Sequence, residues 1–221
     1  MGFLYSPLPF WVAVAGWVAA LGVVAVAARG RPFAKLGTDA LQHLWLSTVV
    51  TLAVLWAFDI WVQEGAVLHL LGATLMVTLF GWALALVGSC VVIGLVALIL
   101  GSPWQGVGLT MLALGVLPVL ISAGVQHVLA ARLARKRVAF ILGHGAITSI
   151  IAVLSASGVV VLGHLLVGDA SWQPVSATFL STTLVLVVGE CLFTSAMTAL
   201  IAVYKPAWMK TFDQRLNRID R

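Results

Sequence analysis

GAVLHLLGATLMVTLFGWALALVGSCVVIGLVALILGSPWQGVGLTMLALGVLPVLISAGVQHVLAA, residues Gly65 to Ala131, runs for 67 positions without one Asp, Glu, Lys or Arg. A soluble domain carries about 25% charged residues, so this stretch belongs in a medium where charge is costly. A helix rises about 1.5 Å per residue and needs about 20 residues to cross a 30 Å hydrocarbon core. The stretch is too long for two ordinary spans and short for four, so three compact spans are expected. The first runs from about Val67 to Phe80 and stops at the turn Gly81-Trp82. The second runs from about Ala83 to Leu100. Gly101-Ser102-Pro103 then breaks the helix, and the third covers about Val107 to Ala130.

Working outward, the same logic gives spans at about Phe10–Ala28 and Leu41–Val62 before this stretch, and at about Val138–Val167 and Val175–Tyr204 after it. Pro7 and Pro9 suit the start of the first helix. Thr38 or Asp39 is the expected N-cap of the second. Gly143, Gly145, Gly158 and Gly163 predict a kink in the sixth. The whole chain of 221 residues has 62% hydrophobic and 9% charged residues and a mean hydropathy of +1.13. Such a composition excludes a soluble globular enzyme, a disordered chain and a coiled coil. The expected fold is therefore an all-α integral membrane protein with seven transmembrane helices in a single domain, residues 1–204. A short basic tail, residues 205–221, follows it. No basic n-region precedes the first apolar run, which argues against a cleavable signal peptide.

All 12 Lys and Arg residues fall in three places: 29–35, 132–137 and the tail from 205. With seven spans, these three lie on one face and none lies on the other. By the positive-inside rule that face is cytoplasmic, so the N-terminus is outside and the C-terminus inside. The net charge of +5 thus reflects topology and predicts no nucleic-acid partner. Cys90 and Cys191 sit in apolar runs and predict neither a disulfide nor a zinc site.

Ionisable groups within the membrane are functional hypotheses by default, and depth sorts them. Asp59, His69 and His164 lie near the outer surface, and His43, His127 and His144 near the inner one. The outer set has the donor chemistry of a transition-metal site, neutral imidazole with a carboxylate to offset the ion's charge. No local His-x-x-x-His spacing supports it, and interfacial hydrogen bonding or a capped helix end accounts for each residue singly. The inner histidines read as packing or interface residues. Glu190, near the middle of the last span, either pairs with a polar group on a neighbouring helix or serves as a proton relay or substrate contact. No P-loop is present, so any ATP hydrolysis would be by partner subunits. Gly106-Val107-Gly108 lacks the rest of a dinucleotide fingerprint. Ala15, Gly16, Ala19 and Ala20 form a small-residue stripe suited to close helix contact, here with a partner protein.

His69-Leu70-Leu71-Gly72-Ala73-Thr74-Leu75, followed by Phe80-Gly81-Trp82, resembles the His-Leu-Leu-Gly-Gly segment and short helix of the CbiM/NikM family. The resemblance continues through Gly106-Val107-Gly108-Leu109-Thr110, Gly115-Val116-Leu117-Pro118 and Gly189-Glu190 to Thr194. It extends to Tyr204-Lys205-Pro206-Ala207-Trp208 with Thr211-Phe212-Asp213. Members are substrate-capturing membrane subunits of cobalt and nickel energy-coupling factor (ECF) transporters. The family's chains start Met-His and use that terminus as a ligand, whereas this one starts Met1-Gly2-Phe3-Leu4. The resemblance implies a multi-pass protein of the bacterial inner membrane that is not an enzyme. It implies a divalent transition metal ion, cobalt or nickel, as substrate and no tightly bound cofactor. The implied partners are a transmembrane coupling subunit and cytoplasmic ATPases. His69 carries the family's ligand position, and Asp59, His164 and the Met1 amine are candidates to complete the site. The competing reading is a non-transport membrane subunit of the same fold that binds lipid or quinone or scaffolds a larger membrane complex.

Overall fold

The computed structural model describes residues 3–4, 8–57, 60–63, 66–68, 70–132, 137–167 and 173–209. Helix α1 spans Phe10–Arg29 and α2 spans Asp39–Ala57. Strands β1 (Ile60–Gln63) and β2 (Ala66–Leu68) form an antiparallel hairpin pairing Ile60 with Leu68, Trp61 with Val67 and Gln63 with Ala66. Helix α3 is Ala73–Phe80 and α4 is Trp82–Ile99. A continuous rod follows, made of α5 (Trp104–Thr110), a π-helical turn (Met111–Val116) and α6 (Leu117–Arg132). A second rod joins α7 (Arg137–Phe140), a π-helical turn (Ile141–Ile147) and α8 (Thr148–Val167). The last helix, α9, spans Gln173–Tyr204.

Six helices are long and apolar enough to cross a membrane: Phe10–Arg29, Asp39–Ala57, Trp82–Ile99, Trp104–Arg132, Val138–Leu166 and Ser181–Tyr204. Their outward faces are apolar and bare, as lipid-facing surfaces are. Leu98 and Leu166 are 80% and 77% exposed. The protein is therefore a multi-pass, predominantly helical membrane protein.

The expected third span takes a different form. Instead of one helix from Val67 to Phe80, the chain makes strand β2 and then the eight-residue α3. Eight residues rise about 12 Å, less than half the hydrocarbon core. Every residue of α3 is buried, and the helix packs against α4, α6 and α9. It is bounded by two left-handed glycines, Gly72 (φ 66°) and Gly81 (φ 81°), conformations that an L side chain resists.

The kink expected in the sixth span is instead the π-helical turn Ile141–Ile147, which holds Gly143 and Gly145. The small-residue stripe of α1 also serves a different purpose. Gly16 and Ala20 are buried and Ala15 and Ala19 are exposed, because Gly16 crosses α5 at Gly108. A Cβ on Gly108 would stand 2.6 Å from the Trp17 nitrogen and 2.7 Å from the Gly16 carbonyl carbon. The Trp17 indole fixes the same crossing by donating to the Trp104 carbonyl at 2.9 Å. The stripe is an internal joint rather than a wholly free docking face. Thr38 reaches the Leu41 N–H at 3.4 Å, as an N-cap does. Cys90 and Cys191 are free thiols.

Candidate functional site

The segment that follows His69 is held by two helices, α9 and α2. From α9, Glu190 presents both carboxylate oxygens. Oε2 accepts from the Leu71 N–H at 2.9 Å and Oε1 from the Gly72 N–H at 2.8 Å. From α2, the Trp56 indole donates to the Leu70 carbonyl, and Leu52 leaves no room at Gly72, where a Cβ would meet its Cδ2 at 2.6 Å. Leu70 also packs against α9, its Cδ2 3.6 Å from where a Cβ on Gly189 would stand, an ordinary van der Waals distance. Glu190 is 1% exposed. A buried carboxylate needs such hydrogen bonds, and charge-assisted ones are roughly twice as strong as neutral ones. The polar groups that pair with Glu190 are backbone N–H groups at the entrance to α3.

A second anchored segment is the N-terminal one. The Phe3 N–H donates to Thr110 Oγ1 at 3.0 Å, and Thr110 in turn donates to the Gly106 carbonyl at 2.8 Å. The Phe3 ring stacks on His164 at 4.7 Å and 25°. Glycines make the space. A Cβ on Gly106 would strike the Phe3 carbonyl oxygen, and one on Gly163 would stand 2.5 Å from its Cζ. Phe3 and Leu4 are accordingly buried, between α5 and α8.

Of the four residues expected at the metal site, His164 is buried against Phe3. Asp59, His69 and Met1 lie outside the described residues, as do Glu64, Asp169 and most of the basic tail. Among the described residues no group of three or more His, Cys, Asp or Glu side chains could hold a metal ion. Of the inner histidines, His43 and His127 are exposed. His144 is buried and stacks on Phe140 at 4.3 Å.

Sequence reasoning missed a layer of polar contacts inward of Glu190. Thr74 Oγ1 and Ser122 Oγ stand 2.8 Å apart. Gln126 Nε2 donates to Thr78 Oγ1 at 2.8 Å and to the His144 carbonyl at 3.4 Å. The signal was present: Thr74/Thr78 and Ser122/Gln126 are four-residue polar pairs in an otherwise apolar stretch, and such spacing puts both members on one helix face.

Membrane-length helices thus surround a buried half-helix, with two anchored segments packed among them. The family model described as the cobalt uptake substrate-specific transmembrane region, CbiM, matches residues 6–208, and the chain belongs to that family. No curated protein and no solved structure matches the chain. Membership makes the protein a transmembrane transport component of cobalt uptake, one of a family that works with other transport subunits. The metal ion is substrate rather than resident cofactor.

Proposed function

We propose that this chain is the substrate-capturing membrane subunit of an ECF-type importer for a divalent transition metal ion of the cobalt and nickel class. Its host membrane is the bacterial inner membrane. The chain crosses seven times, the third passage being α3 together with the segment that leads into it. The N-terminus is outside, and the tail from Lys205 is cytoplasmic. The 12 Lys and Arg residues support this orientation, since all fall on one face of that arrangement. A transmembrane coupling subunit meets the cytoplasmic side, and ATPases bound to it supply the energy.

The ion binds at the outer end, to His69 and Asp59, with His164 or the Met1 amine completing the shell. The observation that carries this reading is the triple anchoring of Leu70, Leu71 and Gly72 by Trp56, Leu52 and Glu190. A ligand site needs its donors held to a fraction of an ångström, and these bonds fix the backbone immediately after His69. The anchoring of Phe3, two residues after Met1, supports an N-terminal contribution in the same way. One imidazole and one carboxylate leave a divalent ion under-coordinated, so a third protein donor or water is required.

Deleting the gene from its host should lower cobalt or nickel accumulation. The parent chain should restore it, and His69→Ala, made in equal amount, should not. Restoration by His69→Ala would refute the site. Unchanged accumulation on deletion would favour a scaffold or lipid-binding role.

A further inference from the structure

Inward of Glu190 the bundle holds more polar groups than its own side chains satisfy. Glu190, Thr194 and Thr198 recur every four residues and share one face of α9. Thr194 is the next buried hydroxyl along that face. Beyond it, Ser195 Oγ and Thr198 Oγ1 are buried without a hydrogen-bond partner among the described residues, and so is Gln126 Oε1 on α6. Gln126 and Ser195 lie against the π-helical turn Ile141–Ile147, which packs on α9, the helix that also carries Thr198. Gln126 Nε2 lies 3.4 Å from the His144 carbonyl. Ser195 Oγ lies 3.2 Å from where a Cβ on Gly145 would stand. A π turn throws carbonyls off the helical ladder, and Thr148 Oγ1 already donates to one of them, Gly143, at 2.8 Å.

Hydroxyls in helices commonly escape this problem by bonding the carbonyl one turn back. Helix α9 uses that solution elsewhere: Thr183 donates to the Phe179 carbonyl at 2.8 Å. Ser195 and Thr198 do not. Leaving three buried polar groups unsatisfied would cost a bundle much of its stability. A buried water makes about three hydrogen bonds to such groups. Formal charge is absent from the oxygens concerned, which suits a neutral ligand that both donates and accepts.

We propose that the inner half of the bundle contains a hydration site. A small cluster of ordered water is seated against the turn Ile141–Ile147 and held by Gln126 Oε1, Ser195 Oγ and Thr198 Oγ1. It brings water within about two helical turns of Glu190, in a bundle otherwise bounded by lipid and apolar side chains. The site stands independently of the transported substrate.

Millisecond hydroxyl-radical footprinting of the purified protein, without added metal, tests it. Radicals formed from ordered water oxidise the side chains beside that water. His144, 3% exposed and on the turn itself, should be oxidised. Met76, 0% exposed, should not, although a thioether is intrinsically the more reactive group. In a Ser195→Ala/Thr198→Val variant, His144 oxidation should fall several-fold while Met76 stays protected. An unmodified His144, or Met76 oxidised as fast as His144, would overturn the site in the parent protein alone. Unchanged His144 oxidation in the variant would remove these hydroxyls from it.

Discussion

Replacing Glu190 tests the joint between the last helix and the segment that follows His69. In Glu190→Ala, the Leu71 and Gly72 N–H groups lose their acceptors, which now stand at 2.9 and 2.8 Å. Both donors are buried. At about 1–3 kcal/mol per unsatisfied donor, the loss is about 2–6 kcal/mol. Glu190→Gln keeps one acceptor oxygen but turns an NH2 toward the other N–H, so it should lose roughly half as much. The missing energy appears in two places: part lowers the thermal unfolding midpoint in detergent, and part loosens the backbone beside the ligand. If the loosening takes about 1.4–2.8 kcal/mol, cobalt affinity falls about 10- to 100-fold. The assays are a thermal melt and a cobalt titration on the parent and both variants. The expected order in both is parent, then Glu190→Gln, then Glu190→Ala. A parent-like melt and titration for Glu190→Ala would refute the view that this carboxylate holds the segment.

Two further outcomes follow from the packing and the charge pattern. Gly108→Ala should destabilise the protein by about 1–3 kcal/mol, because its Cβ meets backbone atoms of α1 at 2.6–2.9 Å. Gly22→Ala, with nothing within 4 Å, should be neutral or stabilising by up to about 1 kcal/mol; paired thermal melts decide, and equal effects would disprove the close crossing. Cysteines placed beside Asp169 should react with an impermeant thiol reagent applied outside intact cells, and those beside Arg135 should not. The reverse pattern would invert the topology.

The long helices were legible because lipid imposes a simple rule: about 20 apolar residues, then charge. Phe10–Arg29 and Trp82–Ile99 fall within a residue or two of their expected bounds. The region from Val67 to Phe80 was not legible, since apolar content alone cannot separate a helix from a strand followed by a short helix. What sets the start of α3 at Gly72 is a left-handed glycine and a carboxylate 118 residues further along the chain, and no local pattern encodes that pairing. The π turns escaped for a related reason. Gly143 and Gly145 signal a weak point in a helix, but the contacts of Ser195 and Thr148 with that turn shape it. Glu190 stood out as a mid-membrane carboxylate, yet its role depended on backbone donors that a sequence does not mark. His164 was singled out by depth, and its stacking partner Phe3 lies 161 residues away.

Metal binding by the purified chain is the most direct test of the capture role. The chain is equilibrated with cobalt, nickel, copper or zinc, dialysed and analysed for metal, beside His69→Ala. The account predicts that the parent retains cobalt or nickel near one ion per chain and that His69→Ala retains far less. Retention should weaken as the pH falls, because a protonated imidazole cannot ligate. A parent that retains none of the four ions, or a His69→Ala chain that retains them equally well, would contradict it.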